Sequence, residues 1–376
     1  MIFLHTSDWH LGATGGERDL LDDQKYFIDA ICGIVREKRV DAVLLAGDVY
    51  DRSVPAASAI GLYDYAMNRL CGELGVKVLT IAGNHDSAER LASCAGLLDK
   101  AGLYLQGAAQ REPRVVEFAD SQVFFLPWIT EEKIKSLYPE ERDGITDLTE
   151  AYRVAVNHMR EKFIPGKHHL LLSHAFITNA ETSTSDRAAE IGFATQVPAS
   201  VFEGFDYVAL GHIHKPQQVN PHVRYSGSPM AYSFGREERQ EKSVTLIDTA
   251  SMTREVVPLP LLHRWTTLTD CYEALLAGEY PEEIREGYVR LNVTDTAVGL
   301  DMLSRLRQVY PNALVVAGKT YDGEDTTITL TMEQLEQMES DPAEVFKSFC
   351  REEMGQEATD HFLQLFAQAV EEADAE

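Results

Sequence analysis

The first residues, Ile2-Phe3-Leu4-His5-Thr6, form an apolar run of strand length that gives way to two polar residues, Asp8 and His10. The same pattern returns four times. Ala42-Val43-Leu44-Leu45-Ala46 runs into Gly47-Asp48, and residues 76–82 run into Gly83-Asn84-His85-Asp86. Residues 169–173 run into His174, and Tyr207-Val208-Ala209-Leu210 runs into Gly211-His212-Ile213-His214. Short apolar runs closed by polar and glycine residues read as buried strands. Strand alternation predicts that Asp8 and His10 share one face, and that His85 turns away from the side used by Asn84. Glycine ahead of three of these polar groups suits a chain that must turn sharply or pack closely where a strand stops.

Between the runs lie helical patterns. Residues 19–39 carry a stripe of Leu20, Phe27, Ile31, Ile34 and Val35, and residues 56–73 continue the alternation, which predicts βαβ units around a largely parallel sheet. Further on, residues 114–118 and 122–126 read as a hairpin turning at Ala119-Asp120-Ser121, followed by helices at 131–137 and 146–163. Residues 224–229 and 243–248 read as strands of a second, antiparallel layer. Val256-Val257-Pro258-Leu259-Pro260 reads as a linker, since proline favours extended backbone before it.

From His263 the texture changes. A helix at 270–277, a strand at 288–293, a helix at 300–310 and a strand at 313–317 predict a small α/β module without a ligand-type cluster. From Ser340 the chain is acidic and helical, with Phe346, Phe349, Phe362, Leu363, Phe366 and Val370 supplying more apolar surface than a terminal helix leaves in water. The expected organisation is a catalytic domain at 1–262, a module at 263–339 and a helical tail at 340–376.

Open α/β sheets bind their ligands outside the carboxyl ends of the strands, so five such ends can converge on one crevice. The groups delivered there are Asp8, His10, Asp48, Asn84, His174, His212 and His214, all oxygen or imidazole donors with no thiolate. That set is too large for one tetrahedral zinc and suits a pair of manganese, iron or zinc ions. Ion pairs of this kind lie roughly 3.5–4 Å apart and clamp the attacking and leaving oxygens of an in-line displacement, which implies phosphoester hydrolysis. Asp48, with two oxygens where Asn84 offers one, is the candidate bridge between the ions. His85 is left uncommitted to metal, and an imidazole titrates near the pH a general acid needs. His168 and His169 sit at the entry of their strand and are excluded as ligands. A single Asp-x-His is ordinarily a surface or capping pair; the weight comes from five groups, each behind an apolar strand.

Asp8-x-His10, Gly47-Asp48-x-x-Asp51, Gly83-Asn84-His85-Asp86, His174 and Gly211-His212-x-His214 resemble, in order, the five motifs of the calcineurin-like metallophosphoesterases. Residues 6–12, 207–214 and Arg224-Tyr225-Ser226-Gly227-Ser228-Pro229 narrow the resemblance to nuclease subunits of the SbcD type. The resemblance implies a two-layer β-sandwich flanked by helices, two divalent ions, most often Mn2+, and His85 as the proton donor with the Asp51 carboxylate holding it. It also implies that the module after residue 263 is a capping domain over the cleft. The tail would bind an SbcC-type coiled-coil ATPase, with the chain a homodimer within a heterotetramer. The implied activity is exonuclease and endonuclease cleavage of double-strand ends and hairpins in DNA repair, recombination and replication. Two other functions stay open: a small-substrate metallophosphatase or cyclic-nucleotide phosphodiesterase using the same site, and a non-catalytic scaffold bridging DNA ends. No Walker-type phosphate loop occurs, so ATP dependence would need another chain.

Composition changes this picture at one point. With 376 residues, 44% apolar and 25% charged, the chain has the make-up of a soluble protein of two or three domains. No apolar run reaches membrane-spanning length, the amino end opens on a strand rather than a leader, and five scattered cysteines predict reduced thiols in the cytoplasm. The net charge of −26, however, opposes backbone binding of DNA by this chain alone. Either the ion pair makes the site locally positive or a partner supplies the basic surface. Arg187, in a polar insertion at 177–199, is a candidate phosphate contact, while Phe124, Phe125 and Trp128 read as buried strand aromatics rather than a base-stacking platform.

Overall fold

The computed structural model describes residues 1–16, 18–186, 196–297, 300–319 and 328–331, and in the tail 346–347, 350, 358–359, 362–363 and 365–367. Two compact units account for the chain, one of Met1–Thr14 with Asp19–Leu262 and the other of Gly15–Arg18 with His263–Glu376.

The first unit begins with β1 (Ile2–Thr6), α1 (Leu21–Lys38), β2 (Ala42–Leu45), α2 (Ala57–Met67), β3 (Lys77–Ile81) and β4 (Leu103–Gln106). It continues through β5 (Val115–Glu117), β6 (Ser121–Leu126), α3 (Glu131–Leu137), α4 (Leu148–Arg160), β7 (His168–His174), β8 (Tyr207–Gly211), β9 (Gln217–Gln218) and β10 (Val223–Tyr225). It closes with β11 (Ser243–Asp248) and β12 (Thr253–Pro258). One six-stranded sheet runs β12-β11-β1-β2-β3-β4 and the other β9-β10-β8-β7-β6-β5. β1 to β4 are parallel neighbours, as are β6, β7, β8 and β10, so the ligand-bearing strand ends of each sheet lie along one edge.

Residue parity builds the sandwich. Leu170, Leu172, Ala209 and Phe125 join Phe3, Leu44, Leu79 and Ile247 in one core. Their immediate neighbours Leu171, Val208, Leu210 and Phe124 turn the other way and pack with Ile134, Tyr152, Val156 and Met159 of α3 and α4. Side chains one residue apart on a strand point to opposite faces, so a continuous apolar run is what a strand covered on both sides requires. Helix α1 buries Phe27, Ile28, Ile31, Cys32 and Val35 at three- and four-residue spacing, and stops where Arg39 adopts a left-handed conformation and its N–H reaches Val35 O. Helix α4 starts at Asp147, whose carboxylate accepts the Glu150 N–H as a cap.

Two sequence expectations are corrected. Residues 256–258 are not linker but the end of β12, an edge strand antiparallel to β11, with Pro258 opposite Ser243. A proline is tolerated there because an edge strand has an unpaired side for its missing N–H. The strands expected to form one antiparallel layer divide between the sheets: β11 pairs antiparallel with β1, while β10 runs parallel to β8. Both segments are short, and nothing in so short a stretch specifies which sheet it joins.

The second unit holds β13 (Trp265–Asp270), α5 (Tyr272–Ala277), β14 (Tyr288–Ala297), α6 (Leu300–Val309), β15 (Ala313–Lys319) and β16 (Ile328–Thr331), in sheet order β13-β14-β15-β16. Its core includes Leu268, Leu275, Val289, Leu291, Leu306 and Tyr310. In the tail, the rings of Phe346 and Phe366 stack at 4.5 Å while Phe362 is half exposed; Phe349 and Val370 lie outside the described residues. All five cysteines are free, and no helix among the described residues is long and apolar enough to cross a membrane.

Candidate metal centre

The seven expected ligands come together where the two sheets' carboxyl edges meet. Their donor atoms form two groups, Asp8 with His10 and His214, and Asp48 with His174 and His212, the atoms of each lying within 4.8 Å of one another. Asn84 belongs with the second: its Oδ1 is 3.0 Å from His174 Nε2 and 2.9 Å from His212 Nδ1. Asp48 touches both, with Oδ2 3.4 Å from His174 Nε2 and 3.7 Å from His10 Nε2.

Alternation is not what brings Asp8 and His10 together. β1 ends at Thr6, and both residues lie in the following loop with positive φ, 53° and 42°, as do Asp48 at 49° and His212 at 105°. The loop is pinned by Asp8 N–H to Gly47 O (3.0 Å) and His10 N–H to Asp48 O (3.0 Å). Left-handed backbone at four non-glycine residues costs of order 1 kcal/mol or more at each, and such strain collects at functional sites. A Cβ on Gly47 would overlap the His174 ring and one on Gly211 the Ala46 carbonyl oxygen, so close approach is what glycine serves here.

His85 does not turn away from the site. Its ring lies edge-on to His10, 4.7 Å between centroids, and its Nδ1 is 2.8 Å from the Asp51 carbonyl oxygen. It is therefore the main chain of Asp51, not its carboxylate, that orients His85. The carboxylate instead lies 3.7 Å from His10 Nδ1. Asp86 ties this loop to the one after β2, accepting N–H bonds from Gly83, Val49 and Tyr50 at 2.9, 3.1 and 2.9 Å. Trp128 is more than a core aromatic: half-buried, it stacks on His212 with centroids 5.2 Å apart, whereas Phe124 and Phe125 are buried. His168 and His169 stay at the opposite end of β7 beside Asp206, and Arg187 lies outside the described residues.

The charges in the cluster balance in a way that fits cations. Burial pushes Asp8 up to about 6 against the pull of His174 and His214. Burial would also raise Asp48, but His174 above all holds it well below the usual carboxylate range. Burial would lower His174 and His214, yet the Asp48 charge raises the first to about 9, and the nearby Glu237 and Asp186 carboxylates raise the second to about 9. Burial takes His212 down to about 3. Two protonated imidazoles facing two carboxylates hold positive charge where divalent ions would bring it. The Nε2 atoms of His10 and His214 meet at 3.0 Å, a contact that unprotonated lone pairs make only around a shared proton or cation. Carboxylate, amide oxygen and imidazole donors in two adjoining groups fit a dinuclear centre.

A family model described as calcineurin-like phosphoesterase matches residues 1–216. The SbcD subunit of the SbcCD nuclease of Staphylococcus epidermidis is 30% identical over 326 residues, 86% of each chain. The chain belongs to the calcineurin-like phosphoesterases, in the SbcD nuclease-subunit family. The SbcD subunit of the Staphylococcus saprophyticus nuclease is 27% identical over 325 residues, again 86% of each chain. A second family model, described as Type 5 capsule protein repressor C-terminal domain, matches residues 258–354.

The residues that narrowed the resemblance to SbcD nucleases form a floor beneath the centre. Ser7 Oγ donates to Asp8 Oδ2 (2.5 Å) and lies 2.7 Å from Ser226 Oγ. Tyr225 donates its hydroxyl to Ala175 O (2.7 Å), just past His174, and accepts the Ile177 N–H. Sequence reasoning missed a buried layer behind His214. Glu237 and Lys242, 1% and 2% exposed, pair at 3.0 Å. Burial would raise the Glu237 carboxyl, but the Lys242 charge, the nearby His214 ring and the Ser185 hydrogen bond outweigh it and hold it well below its ordinary value. In the sequence Glu237 sits within Arg236-Glu237-Glu238-Arg239, a charge run that reads as solvated surface.

Proposed function

We propose that this chain is the Mn2+-dependent nuclease subunit of an SbcC-type ATPase complex, cutting phosphodiester bonds at double-strand ends and hairpins. The observation that carries the reading is the pair of ligand groups joined at Asp48, with His85 beside them. Asp8, His10 and His214 would hold one ion, and Asp48, Asn84, His174 and His212 the other. When bound, the pair activates a water and neutralises charge developing on phosphate oxygens.

The chain's own residues supply the rest. With Nδ1–H given to the Asp51 carbonyl, His85 presents Nε2 to protonate the departing 3′ oxygen. Asp48 fixes that residue from the other side by accepting the His85 N–H at 2.9 Å. Trp128 holds the His212 ring and walls the second group.

The unit after residue 263 serves as the accessory module of the nuclease, the tail with Phe362 and Phe366 docks on the coiled coil of the ATPase, and the assembly is a homodimer within a heterotetramer. DNA affinity arises with that partner, since a net charge of −26 opposes binding to the phosphate backbone. Free thiols fit a reducing cytoplasm, where the complex serves DNA repair and recombination.

The test is cleavage of a labelled hairpin and a linear duplex by the purified chain with Mn2+, with and without the ATPase, beside p-nitrophenyl phosphate mono- and diesters. Hairpin opening and end resection are expected. Hydrolysis of the small esters alone would favour a small-substrate phosphatase, and no hydrolysis of any would favour a scaffold.

A further inference from the structure

We propose that Glu237, acting through Ser185, positions His214 and dictates which of its ring nitrogens faces the metal. The inference rests on the dinuclear reading above and concerns residues that touch no substrate.

Glu237 Oε2 accepts from Ser185 Oγ at 2.7 Å, from Ser233 Oγ at 2.9 Å and from the Tyr232 N–H at 3.1 Å, and Oε1 accepts from Lys242 at 3.0 Å. An ionised carboxylate only accepts, so the Ser185 hydroxyl proton is directed to it. Ser185 Oγ, 2.6 Å from His214 Nδ1, is then the acceptor and Nδ1 must carry its hydrogen. That leaves His214 Nε2, the atom that meets His10, as the ligand. Neither carboxylate nearby does this directly: Glu237 Oε1 is 3.5 Å and Asp186 Oδ1 3.6 Å from Nδ1. Asp186 has a separate task, accepting the His214 N–H at 2.9 Å.

The relay is itself held in place. Lys242 also has His214 O (3.1 Å), Ser228 Oγ (2.9 Å) and Gln240 Oε1 (3.0 Å) within reach, so the three hydrogens of the buried ammonium face four acceptors and none is unmet. His174 has no such device, since its Nδ1 is bound by the Ala46 carbonyl at 2.8 Å, an atom no side-chain substitution removes. The hydrogen bond made by the non-ligating nitrogen of a metal-binding histidine fixes its tautomer and orientation, and removing that partner typically lowers metal affinity or activity about 10- to 100-fold.

The test uses the full chain with Mn2+ alone as the probe, titrated by calorimetry and by the electron paramagnetic resonance of free Mn2+. Ser185→Ala should weaken one of the two ions about 10- to 100-fold, leave the other unchanged, and melt within about 2 °C of wild type in EDTA. Ser185→Thr, which keeps the hydroxyl, should restore binding. Glu237→Gln should shift the same ion; because it strands Lys242, Ser185→Ala keeps the test informative if that variant does not fold. Ser185→Ala that binds both ions as wild type does, or that only lowers the melting temperature, overturns the positioning role. A wild-type chain that binds fewer than two ions overturns the dinuclear reading instead, and this inference with it.

Discussion

Asp48, Asn84, His174 and His212 take their support chiefly from main chain: the Ala46 carbonyl under His174, the His85 N–H on Asp48, and the close approach of Gly47 and Gly211. Asp8, His10 and His214 add a layer of side chains, with Ser7 and Ser226 on Asp8 and Ser185 and Glu237 behind His214. The contrast bears on how each half responds to mutation. Main-chain support cannot be deleted by a point substitution, only displaced by added bulk, so its failure should be abrupt and structural. Side-chain support can be trimmed atom by atom, so its failure should be graded and confined to one ion.

The strongest challenge to that contrast is Gly211→Ala, which drives a methyl group into the Ala46 carbonyl at the junction of the two sheets. A loss of about 3–5 kcal/mol, read as a fall of roughly 6–20 °C in Tm in EDTA, should accompany weaker binding of both ions. A variant that melts like wild type would show the junction to be pliant. Next in size is His85→Ala, expected to lower kcat on hairpin DNA by about 10²- to 10⁴-fold with two Mn2+ still bound. A p-nitrophenyl diester should lose far less, since its leaving group departs without a proton.

The mildest perturbation is pH, which changes no residue. His174 and His214, raised to about 9, bind protons more tightly in the metal-free centre than free histidine does. A metal takes neutral imidazole, so below pH 9 it must displace one proton from each half. Mn2+ affinity should therefore climb from pH 7 to about 9, by up to about tenfold per unit for each proton released, and then level off. Calorimetry in buffers of different ionisation enthalpy counts those protons. Affinity that stays flat over this range would mean neither histidine is protonated in the empty centre.

What the sequence disclosed about this centre follows the ends of its strands rather than their period. Each ligand stands just beyond an apolar run, and a run ending in Asp, Asn or His stands out because core strands seldom stop that way. Glu237 stays hidden because burial of a charge within Arg236-Glu237-Glu238-Arg239 depends on Lys242 and Ser185, one from the next strand's edge and one from a loop some fifty residues earlier. The role of Asp51 escapes the sequence for a similar reason: its carbonyl, not its side chain, makes the contact to His85, and main-chain contacts leave no mark on residue type. The end of β12 reads as linker because Pro258 and the following Pro260 are turn signals in isolation, while the edge position that excuses Pro258 is a property of the sheet.

The positive φ angles at Asp8, His10, Asp48 and His212 restrict what can stand in for these residues in the laboratory or in descent. Asparagine enters the left-handed region readily, whereas alanine resists it and β-branched residues resist it most. An inactive chain meant to trap DNA is better made with Asp8→Asn or Asp48→Asn, which remove charge and leave the loop at ease. A threonine or valine in the same place would be rejected by the backbone before the missing metal was felt.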